Sequence, residues 1–166
     1  MDWAPIANTL VGGLIGVSAS LVSDRVRWNR DQSSSASIVR RTAYSEYLAA
    51  LAAARNELRI VAQSPDLTPP ERQARAREAL ASKEVYEHRY SVALVAPGQV
   101  IEASSVAIRS LRDLRDCVSR GGLHGQSEYL QVRDEYEESF QRLLRQMRRD
   151  TRLALNRRLS AHEDPP

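Results

Sequence analysis

The sequence predicts an all-α protein: a single N-terminal transmembrane helix followed by an antiparallel four-helix bundle, or by two helical hairpins completed by dimerisation. Three observations lead there. An uncharged run, "APIANTLVGGLIGVSASLVS" (residues 4–23), is followed at once by Arg25, Arg27 and Arg30. The chain is rich in alanine and has one phenylalanine in 166 residues, which suits close helix packing and not strands. From Tyr44 onward, apolar residues recur every three or four positions, the period of a helix with one buried face.

Twenty residues of helix span about 30 Å, the thickness of a bilayer's hydrocarbon core. Trp3 and Trp28 bracket the run, as indole rings do at the two membrane–water interfaces. Arg25, Arg27 and Arg30 all follow it, so the positive-inside rule keeps that side cytoplasmic and puts residues 1–3 outside. The expected address is the inner (plasma) membrane, single-pass, with Trp3, Trp28 and the three arginines as interfacial anchors. A cleaved signal fits less well, because only Asp2 and the amino terminus precede the run. A soluble helix packed on its own core is the other alternative.

Eight Leu, Ile and Val residues favour insertion by roughly 2.5–5 kcal/mol, and Asn8, Thr9 and the serines oppose it. Those weak residues share one face. Thr9, Gly12, Gly16 and Ser20 make a small-residue stripe containing GxxxG, suited to close contact with a second copy or a partner membrane helix.

Residues 24–37 form a basic juxtamembrane segment ending in the polar joint "DQSSSAS". The helical domain follows at 38–159. Its first helix, 38–63, carries Tyr44, Tyr47, Leu48, Leu51, Ala54, Leu58 and Val61 on one stripe. "SPDLTPPER" stops it and starts the next, with Thr68 as N-cap, Pro69 at the first helical position and Glu71 completing a capping box. The second helix is expected to run unbroken through Ala76, Leu80, Tyr86 and Tyr90 to about Leu94, where Pro97 ends it. The third presents Val100, Ala103, Ala107, Leu111, Leu114 and Val118, and "RGGLHG" closes it with glycines suited to a left-handed cap. The fourth, 127–159, presents Tyr129, Val132, Tyr136, Phe140, Leu143 and Met147. Residues 160–166 are expected to be a disordered tail.

No sequence motif for catalysis or a cofactor stands out. His88, His124 and His162 are far apart, and none forms HxxxH or HExxH. Glu84, one turn before His88, reads as an exposed charge pair. Asp134, Glu137 and Glu138 read as a solvated acidic face. Cys117 lies on an apolar stripe and reads as a small buried hydrophobe. The expectation is therefore a non-enzymatic protein without metal, cofactor or small-molecule substrate.

Charge is unevenly placed. The net charge is +3, yet residues 141–159 hold seven arginines against Asp150 alone. All cationic residues but Lys83 are arginine, a bias that matches a high-GC bacterial genome. Arg142, Arg145, Arg148, Arg149, Arg152, Arg157 and Arg158 are the candidate anionic-surface residues, for lipid headgroups or for nucleic acid. Nucleic acid fits less well, because no aromatic residue interleaves them and no DNA-binding motif appears.

Overall fold

The computed structural model describes residues 36–163, with side chains described through Ala154 and at Asn156. The predicted span at 4–23, its packing residues Thr9, Gly12, Gly16 and Ser20, and the anchors Trp3, Trp28, Arg25, Arg27 and Arg30 lie outside the described residues. Among those described, no helix is long and apolar enough to cross a membrane.

The described region is all helical: α1 at residues 36–62, α2 at Pro69–Ala81, α3 at Val85–Val95, α4 at Gly98–Ser119 and α5 at Ser127–Glu163. Side-chain bonds fix their order and direction. Tyr44 in α1 donates to Asp150 in α5 at 2.8 Å, and Tyr136 in α5 donates to the Leu51 carbonyl at 3.2 Å. Low numbers thus meet high ones, and α1 and α5 are antiparallel. Arg72 reaches the Val61 carbonyl and His88 sits 3.7 Å from Glu46, so α2 and α3 together return antiparallel to α1. Arg89 donates to Ser105 at 2.8 Å and Arg112 to Tyr86 at 3.1 Å, which sets α4 antiparallel to α3. The result is an up-down-up-down bundle whose second column is two helices end to end.

The core stripes of α1 and α4 are buried as their spacing predicts. Tyr47, Leu51, Ala54 and Leu58 meet Ala107, Leu111 and Leu114 with no exposure, and Tyr129, Tyr136, Leu143 and Met147 complete the core from α5. The Tyr47 hydroxyl lies within reach of the Ser104 carbonyl at 3.4 Å, so this phenol is not left without a partner inside.

The second column departs from expectation. An unbroken helix through Tyr86 and Tyr90 was predicted, but Ser82–Glu84 interrupts it, and Glu84 adopts a left-handed conformation with φ 49°. The physical reason is register. Leu80 and Val85 are both buried, and a step of five residues lies off any single helical face. Breaking the helix returns Val85 and Val92 to the core. Tyr90 then faces outward, 65% exposed.

The connections use ordinary chemistry. The Thr68 backbone N–H and hydroxyl both donate to Glu71, at 3.0 and 2.6 Å, which holds that carboxyl below its usual range. After α4, Gly121 has φ +106°, and Gly121 and Gly122 bond back to the Val118 and Cys117 carbonyls. This is a Schellman turn, and a Cβ on Gly122 would approach the Cys117 carbonyl oxygen to 2.9 Å.

Candidate functional site

The feature that gathers most chemistry is one end of the bundle, where the start of α1, the α3–α4 turn and the last third of α5 come together. Asp150 organises it. Its carboxylate accepts from the Tyr44 hydroxyl at 2.8 Å and from Arg40 at 3.3 and 3.4 Å. Burial, together with this bond to an anion, pushes the Tyr44 phenol well above its ordinary value of 10.0. The one acidic residue in the basic segment of α5 is therefore already satisfied within the fold.

Its arginine neighbours are not drawn inward. Arg142, Arg145, Arg148, Arg149 and Arg152 are all exposed, and so is Arg41 on α1. Arg142 pairs with Glu138 one turn earlier at 3.0 Å, with both side chains more than half exposed, a contact of a few tenths of a kcal/mol. Arg157 and Arg158 belong to α5, but their side chains lie outside those described. The arginine end of α5 thus lies beside the start of α1.

Among the described residues, the acidic face of α5 does not converge on one point. Asp134, Glu137 and Glu138 each turn to a different arginine: Arg133 at 2.6 Å, Arg55 at 2.7 Å and Arg142 at 3.0 Å. His88 does not pair with the Glu84 carboxylate as predicted. The break in the second column turns its ring to Glu46, and only its backbone N–H reaches the Glu84 carbonyl. Among the described residues, no group of three or more His, Cys, Asp or Glu could hold a metal ion. Cys117 is buried at the end of α4, and burial pushes its thiol pKa up, away from the reactive thiolate. A groove of about 370 Å³ between α1 and α2 has Ile60, Val61 and Ala79 in its lining, and Lys83 pairs with Glu57 at its rim, at 3.6 Å.

No family model, curated protein or solved structure matches the chain.

Sequence reasoning missed two structural arginines. Arg72 is 5% exposed and donates to the carbonyls of Val61 and Ser64, at 3.2 and 3.0 Å, capping the C-terminus of α1 from the next helix. Arg40 braces α1 against α5. In a chain with arginine on most helix faces, nothing in the local spacing marks these two. The only available signal was position: Arg72 lies in the first turn after a proline-rich connection, where it can reach back to the preceding carbonyls.

Proposed function

We propose that the chain is a non-enzymatic, single-pass protein of the inner (plasma) membrane, with its amino terminus outside. It presents a cytoplasmic helical bundle for protein–protein contact, as an anchor, scaffold or accessory subunit. The observation that carries this reading is the uncharged run at 4–23, bracketed by Trp3 and Trp28 and followed at once by Arg25, Arg27 and Arg30. Twenty such residues call for an apolar surrounding. Lipid supplies it, and the stripe of Thr9, Gly12, Gly16 and Ser20 offers a face for self-association or for a partner membrane helix.

The same run also suits a second reading: a dissolved helical-bundle interaction protein whose opening run packs against its own core or a partner. Alkaline carbonate extraction of membranes containing the full chain separates the two. The anchored protein stays in the membrane pellet until detergent is added. Release by carbonate alone sinks the anchored reading and favours the second. Membrane-tethered nucleic-acid binding through Arg142–Arg158 is a weaker reading, since no exposed aromatic residue interleaves the described arginines of that stretch.

A further inference from the structure

The charges of α5 divide near its middle. Residues 127–140 hold five acids and one arginine, and residues 141–154 hold five arginines and one acid. The helix macrodipole favours that order only within the first and last turns, so it does not account for a division deep inside 37 residues. Glu137 and Asp150 turn to arginines of α1, at Arg55 and Arg40. The other four acids, Glu128, Asp134, Glu135 and Glu138, are exposed, and so are all five arginines. Positions 128, 135, 138, 142, 145 and 152 follow one another in steps of seven, three, four, three and seven. They therefore share one outward face, away from the buried Tyr136, Leu143 and Met147. Within the chain this face makes only exposed pairs, Glu138 with Arg142 and Glu128 with Arg120, each at 3.0 Å. Arg145, Arg149 and Arg152 make no ion pair among the described residues.

We propose that α5 pairs antiparallel with α5 of a second copy of this chain, acidic half against basic half. A twofold contact uses the same face on both copies, so that face must complement itself, and a mirrored placement of charge does so. With the axis at the level of Phe140, Glu138 stands opposite Arg142 of the second copy, Glu135 opposite Arg145, and Glu128 opposite Arg152. Each of these pairs occurs twice. Arg149 meets the neutral Gln131, and in this register no like charges stand opposite one another. Parallel pairing would instead set acids on acids and arginines on arginines. Exposed ion pairs are individually weak, so the dimer forms at high local concentration and is sensitive to salt. This face is separate from the membrane-helix stripe of Gly12 and Gly16, and the pairing holds whether or not the chain is anchored.

The test uses the full chain in neutral detergent at low ionic strength, spin-labelled at Gln141→Cys or at Ser127→Cys; Cys117 is buried and stays unlabelled. Distances between copies are read by pulsed dipolar electron resonance. Antiparallel pairing brings the labels at 141 close together and sets those at 127 about 39 Å apart along the helix axis. The coupled fraction is expected to fall about fivefold in roughly 0.5 M salt. Glu135→Arg with Glu138→Arg makes the centre of the face basic, and Arg142→Glu with Arg145→Glu makes it acidic. Either double variant alone is expected to lose the coupling, and an equal mixture of the two to regain it. Circular dichroism checks that both keep their helices; if one does not, the wild-type distances and their loss in salt decide. Absent coupling, equal distances at the two sites, or folded variants that stay uncoupled when mixed overturn the proposal. Coupling that survives salt and both variants also overturns it, because the copies then meet through another surface.

Discussion

Asp150 is the only acid in the basic part of α5, and its side chain is 15% exposed. It binds two groups on α1 that have little alternative: the nearly buried Tyr44 hydroxyl and the half-buried Arg40. Hydrogen bonds to a charged acceptor in such a site are worth more than their exposed counterparts. Asp150→Ala is expected to destabilise the bundle by about 1.5–3 kcal/mol in urea unfolding followed by helical circular dichroism. Tyr44→Phe, which removes the donor and leaves Asp150 with Arg40, is expected to cost about 1 kcal/mol. The double variant should cost clearly less than the sum of the two. Simple additivity would mean that Tyr44 and Asp150 do not interact in solution.

At the level of elements, the break between α2 and α3 is the least ordinary feature. Glu84 sits at φ 49° and ψ 35°, a conformation that costs an L-residue with a β-carbon about 1–2 kcal/mol relative to glycine. Glu84→Gly relieves that cost and loses part of the gain to the extra freedom of the unfolded chain, so a net stabilisation of about 0.5–1 kcal/mol is expected. If the column were one continuous helix, the same substitution would destabilise by about 1 kcal/mol. The sign of the change in urea midpoint therefore decides between the two geometries. Three of the four columns were legible in the sequence, because Tyr44 to Val61, Val100 to Val118 and Tyr129 to Met147 each keep a helical period that matches the buried face. The second column was misread for a reason visible in retrospect. "ASKEVYEH" contains no glycine or proline, so no breaker flagged the change of register, and the larger tyrosines drew the stripe away from Val85 and Val92. The apolar face left outside by that shift, Tyr90 and Leu94, was for the same reason invisible as a surface. The arginine stripe of α5 was legible from its spacing. Its neighbours on α1, Arg40 and Tyr44, were not, because only the bundle's topology brings them to Asp150.

For the molecule as a whole, the phenols couple folding to pH. Tyr44, Tyr47 and Tyr136 are buried, and burial is the largest cause pushing each phenol well above the ordinary value of 10.0. The sign follows from linkage. A group whose folded pKa is raised contributes stability that is fully present below its unfolded pKa and is lost as pH rises beyond it. In the unfolded chain the three phenols ionise near pH 10, while in the bundle they stay protonated, so above that pH the unfolded state holds fewer protons. Each phenol is expected to remove about 1.4 kcal/mol of stability per pH unit above 10. The protein should therefore unfold cooperatively in alkali. Its helical signal should be lost in the same step in which phenolate absorbance from the buried tyrosines appears. Tyr47→Phe should move the alkaline midpoint upward, since one titrating phenol is gone and the Ser104 carbonyl it faces at 3.4 Å keeps its place within α4. If Tyr44, Tyr47 and Tyr136 ionised near pH 10 with the helices intact, the core would be more open to water than the packing of α1 against α4 and α5 allows.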